Sequence, residues 1–81
     1  MHGREETRFA LTIENEPQRA LELALENWSM QHEPWDARLV MEAALAAGKS
    51  EAAGPALAWI KATGFEDARL RDLAQRLERV Q

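Results

Sequence analysis

Few residues in this chain could act on a ligand. Gly48-Lys49-Ser50 has the types that close a phosphate-binding loop, where backbone N–H groups cradle phosphates and the lysine reaches their oxygens. That loop needs a glycine five residues before Gly48 and a strand ahead of it. Position 43 is alanine, and the preceding residues have helical periodicity, so the motif is incomplete. His2 with Glu6, and the group Glu22, Glu26 and His32, have ligand chemistry, but a di-metal helical site needs paired Glu-x-x-His motifs and none is present. Both histidines are expected in solvent, His2 near the terminus and His32 in a loop. With two histidines in all, no serine or threonine has a histidine-carboxylate pairing, and with no cysteine there is no thiolate nucleophile. The expectation is no catalytic residue, no metal and no cofactor.

The apolar spacing predicts helices throughout. Residues 3–14 place Phe9, Ala10 and Ile13 on one side with Leu11 opposite. Asn15-Glu16-Pro17 then starts a helix running to about Gln31, because proline fits the first helical turn. Its main face is Ala20, Leu21, Ala24, Leu25 and Trp28, which leaves Leu23 and Met30 on another side in need of cover. Glu33-Pro34 ends it, and Trp35-Asp36 opens the next. From Ala37 to Ala47 that helix is apolar nearly all round, with one narrow polar stripe at Arg38 and Glu42, as befits a rod with neighbours on several sides.

Gly48 closes the third helix, and Ser50 is placed to cap a fourth that buries Ala52, Ala53, Ala56, Leu57, Trp59 and Ile60. Pro55 forces a choice: either a distorted first turn or a regular helix beginning near Pro55 itself. Gly64 ends this helix and Asp67 starts a fifth, with Leu70, Leu73, Ala74, Leu77 and Val80 on one face and Arg69, Asp72, Arg76 and Arg79 on the other. Short connections make sequential helices neighbours.

Eighty-one residues allow one small domain that is marginal alone. Forty-six per cent are apolar, but 15 are alanines, so Trp28, Trp35, Trp59, Phe9 and Phe65 are expected to carry much of the core. The net charge is −4, and residues 1–34 hold seven acids against Arg4, Arg8 and Arg19. No basic patch exists to neutralise phosphates, which argues against nucleic acid. An acidic half could favour a basic partner, although a solvated helix surface explains it as well. No apolar run reaches the roughly 20 residues of a membrane span, and no signal peptide is evident, so the chain reads as soluble without membrane insertion.

Leu21, Ala24, Leu25 and Trp28 align with Ala53, Ala56, Leu57 and Ile60, 32 residues on. With Gly48 at a turn glycine, Ala53 opening the second helix and Leu57 one turn later, residues 35–64 resemble a tetratricopeptide repeat, a helix pair recurring every ~34 residues. Residues 3–33 resemble a more degenerate copy, and 67–80 the solvating helix that caps such arrays. Met41 and Ile60 depart from the family's small residues and imply a different helix spacing. The stretch Asn27-Trp28 through Glu33-Pro34-Trp35-Asp36-Ala37-Arg38 also looks like the C-terminal part of larger proteobacterial repeat proteins, which suggests a piece of a longer solenoid. The fold expected is all-α: five antiparallel helices stacked as two degenerate helix pairs plus a C-terminal capping helix, in one module.

In that family ligands lie along the concave face formed by the first helix of each pair, which by position implies Trp35, Arg38, Glu42 and Leu45 as partner-binding residues, with a core position as the other reading of Leu45. An arginine and a glutamate beside a tryptophan combine charge-assisted hydrogen bonds with a rigid aromatic anchor. The plainer reading is an ordinary i,i+4 ion pair worth roughly 0.3 kcal/mol and a tryptophan that plugs a helix junction. The resemblance implies a protein-protein interaction scaffold with a protein or peptide partner. The alternative is a self-association or end-cap module, pairing as a homodimer through Leu23, Met30, Leu70, Leu73 and Leu77 if these are left uncovered, with capping by the last helix within the monomer as the default.

Overall fold

The computed structural model describes residues 7, 16–64 and 67–80, with Val80 by its backbone alone. Four α-helices make up the described chain: α1 (Pro17–Met30), α2 (Pro34–Ala47), α3 (Gly54–Thr63) and α4 (Ala68–Val80), with a 3-10 turn (Ser50–Ala53) between α2 and α3. Among the described residues there is no strand. Of the helix expected over 3–14, Thr7 alone is described, helical and buried; Phe9, Ala10, Leu11 and Ile13 lie outside the described residues, as do His2 and Phe65. Five helices in paired repeats is therefore finer than what is described, which is an all-helical chain.

Helix α2 occupies the middle. It contacts α1, the 3-10 turn, α3 and α4, and its Leu39, Val40, Met41, Ala43 and Ala44 are all buried. This follows from its sequence: with apolar residues on nearly every side, exposure of any face would forfeit roughly 25 cal/mol per Å² of apolar surface. Leu45 and Ala47 are half-buried and Ala46 is exposed, so the enclosure loosens toward the C-terminal end.

The helix ends follow local rules, with two corrections. Pro34 does not merely stop α1; it is the first residue of α2, where its missing N–H costs nothing, and Glu33 is the N-cap. Gly48 closes α2 in the left-handed region (φ 70°), with its own N–H donating to the Leu45 carbonyl and the Lys49 N–H to the Ala44 carbonyl at 2.9 Å. This is the Schellman pattern. Ser50, expected to cap the next helix, makes no side-chain cap and opens the 3-10 turn instead. Pro55 is the reason. It cannot donate to the Glu51 carbonyl, so an α-helix cannot run through from Ser50, whereas inside the first turn of α3 no donor is needed.

Among the described residues the core is largely aliphatic. Its largest fully buried side chains are Leu39, Met41, Leu77 and Val40, followed by the polar Asn27, Thr7 and Asp36. Trp28 is buried, but Trp59 is half-buried and Trp35 is 38% exposed, because both lie on the margins of α2's enclosure. Ala53 and Ala56 are buried as expected, while Ala52, Leu57, Trp59 and Ile60 only lean on the core. Helix α4 buries Leu70, Leu73 and Leu77 and exposes Arg69, Asp72, Arg76 and Arg79.

That burial corrects the self-association surface. Leu70, Leu73 and Leu77, at 3%, 8% and 0% exposure, are spent inside the chain and offer nothing to a second copy. Leu23 is half-buried against the core, which leaves Met30, 73% exposed at the end of α1, as the sole member of that group in solvent.

Candidate functional site

The first turns of α2 project Trp35, Arg38 and Glu42 from one edge, at the i, i+3 and i+7 spacing that lines up a helix face. The Arg38 Nε donates to Glu42 Oε2 at 3.3 Å, and the guanidinium carbon stands 5.3 Å from the centroid of the Trp35 ring. The three side chains thus form one contiguous group. Arg38 and Glu42 are 22% and 30% exposed, so solvent screens the pair and its share of stability is small. Leu45, placed with this group by sequence, sits one helical turn on and packs half-buried on the core.

Two grooves share the start of α4, and one of them includes part of this edge. The smaller, about 180 Å³, lies between α2 and α4 and is lined by Pro34, Trp35, Arg38, Asp67, Arg69 and Leu70. The larger, about 390 Å³, lies between α3 and α4, with Ile60, Leu70 and Ala74 as its apolar lining and Lys61 and Arg71 among its polar residues. Asp67 belongs to both. Its Oδ1 accepts the Arg69 N–H at 2.8 Å, a cap at the start of α4.

What supports this edge is a buried polar junction. Asn27, on α1, donates from Nδ2 to Asp36 Oδ1 at 2.7 Å and accepts at Oδ1 from Gln31 Nε2 at 2.8 Å. The other Asp36 oxygen accepts the Glu33 N–H at 3.1 Å, and the Glu33 side chain returns a bond to the Asp36 N–H, which closes a capping box. Asp36 is 0% exposed and Asn27 2%, yet no buried side-chain nitrogen or oxygen among the described residues lacks a partner. Asp36, at the centre of this junction, lies between Trp35 and Arg38 on α2.

The sequence held a signal for it. Asn27 falls on the buried stripe of α1 in register with Ala20 and Ala24, and a polar residue there has to find a buried partner. A second cluster had no local signal. Trp28 stacks on His32 with ring centroids 4.1 Å apart and meets Trp59 edge-on at 5.6 Å, so His32 is exposed as expected but lies against an indole. This joins the end of α1 to α3.

Among the described residues, no three histidines, aspartates or glutamates group to hold a metal ion. Likewise no described helix is long and apolar enough to cross a membrane. No protein-family model matches the chain, and neither a curated protein nor a solved structure matches it.

Proposed function

We propose that this chain is a non-catalytic protein-protein interaction scaffold built on tetratricopeptide-like helix pairs, with the Trp35-Arg38-Glu42 edge as its contact surface. The observation that carries the reading is the group itself: an exposed indole, a guanidinium over its ring and a carboxylate one turn further, on the polar stripe of a helix whose middle is enclosed. Tryptophan and arginine are the residue types on which interface energies concentrate, and a pre-ordered pair loses little side-chain entropy on binding. The helix-pair reading draws support from matched burial across the 32-residue spacing. Leu21, Ala24 and Leu25 are buried, buried and half-buried, and so are Ala53, Ala56 and Leu57. Trp28 and Ile60 break the match, the first buried and the second half-exposed.

The test is charge reversal. The double variant Arg38→Glu, Glu42→Arg, with helicity intact by circular dichroism, should lose capture of a protein partner from cell extract. Undiminished capture removes these residues from the contact surface. A second reading, self-association or end-capping of a longer array, is favoured by the exposed Met30. Sedimentation that shows a monomer at high concentration ends it as self-association.

A further inference from the structure

The chain carries 14 acids and 10 bases, yet the two grooves around the first turn of α4 reverse that balance. Among the described residues four cations line them, Arg38 and Arg69 between α2 and α4 and Lys61 and Arg71 between α3 and α4, against one lining acid, Asp67, with Arg38 ion-paired to Glu42. Asp67 is engaged by the Arg69 N–H, and the Glu42 bond occupies Arg38 at Nε, leaving the terminal amino groups of that guanidinium as donors. The larger groove also has the apolar lining residues Ile60, Leu70 and Ala74. Cations segregated on a surface that the rest of the molecule's charge opposes create a local field that selects an anionic ligand.

Resting on the reading of the Trp35 edge as a contact surface, we infer that the partner binds as an acidic segment carrying an apolar anchor, laid across the first turn of α4. The anchor fills the 390 Å³ groove between α3 and α4, and carboxylates flanking it meet Lys61 and Arg71 on one side and Arg69 and Arg38 on the other. Peptide is favoured over nucleic acid for two reasons. A phosphate backbone makes no use of an aliphatic lining, and a net charge of −4 repels a long polyanion. The site differs from the Trp35-Arg38-Glu42 edge in needing α3 and α4, so the two can be separated experimentally.

A displayed library of random 16-residue peptides selected on the full chain tests this. Enriched sequences should have net negative charge around an aliphatic or aromatic residue, and their amide-shift footprint on the parent protein should include Ile60, Gly64 and Ala74. The variant Lys61→Glu, Arg71→Glu should bind them at least tenfold more weakly, while Lys49→Glu, Arg79→Glu, an equal charge change outside both grooves, should alter binding less than twofold. All four positions are exposed, so folding is expected to survive. Four results overturn the inference: no enrichment, neutral or basic winners, equal loss in both variants, or an oligothymidylate that binds the same residues as tightly. Loss with Arg38→Glu but not with Lys61→Glu, Arg71→Glu overturns the acidic groove while leaving the Trp35 edge standing.

Discussion

Two aspartates bond into the first turns of two helices, and they do so differently. Asp36, the third residue of α2, closes the capping box with Glu33 from inside the molecule, and its other oxygen reaches across to Asn27 on α1, so one carboxylate ties the first turn of α2 to its neighbour. Asp67 caps α4 at a half-exposed site and bonds within its own turn, while α4 is held to the core by Leu70, Leu73 and Leu77. The difference teaches where a chain this small can afford open surface. A buried polar link demands a unique geometry, since any shift orphans a desolvated group, whereas apolar contacts tolerate small displacements. The grooves and exposed cations collect around Asp67, beside the helix with the less directional attachment.

The comparison can be broken from either side, and the largest effect is expected at α4. Leu77→Ala should cost about 3 kcal/mol of unfolding free energy in urea, because a fully buried leucine leaves a cavity that the core cannot close. A loss below about 1 kcal/mol would mean that α4 is not anchored by its leucines. Next comes Asp36→Ala, expected at about 2–3 kcal/mol from a lost cap plus an unpaired Asn27 amide in a dry site. A double-mutant cycle with Asn27→Ala should return a coupling of about 1 kcal/mol or more, and strict additivity would show that the bond across the junction contributes nothing. The smallest of the three is Asp67→Ala, at about 0.5–1 kcal/mol, since its cap is local and half-exposed. If it matched Asp36→Ala, the contrast between the two caps would be lost.

How much of this is legible before any coordinates depends on the range over which each feature is set. The enclosure of α2 follows from apolar residues on nearly every face between Ala37 and Ala47, and the breaks at Gly48, Pro55 and Gly64 follow from the backbone limits of single residues. The Arg38-Glu42 pair is likewise local, fixed by i,i+4 spacing. Ser50 misleads because its cap competes with the constraint that Pro55 imposes five residues later. The burial of Leu70, Leu73 and Leu77 follows from their shared apolar face on α4, but the contacts of Trp28 with Trp59 depend on how whole helices lean on α2. No periodicity within one helix encodes that. The grooves around Asp67 are of the same kind, since residues from α2, α3 and α4 meet there.

The separation of a fold-holding junction at Asp36 from a contact edge that begins beside it on α2 is best tested by urea unfolding of two double variants side by side. Arg38→Ala, Glu42→Ala is predicted to stay within about 0.5 kcal/mol of the parent, as a solvent-screened pair should. Asn27→Ala, Asp36→Ala is predicted to fall by about 2 kcal/mol or more. The reverse order would contradict the account, because the edge would then be holding the fold and could not be read as surface kept for a partner.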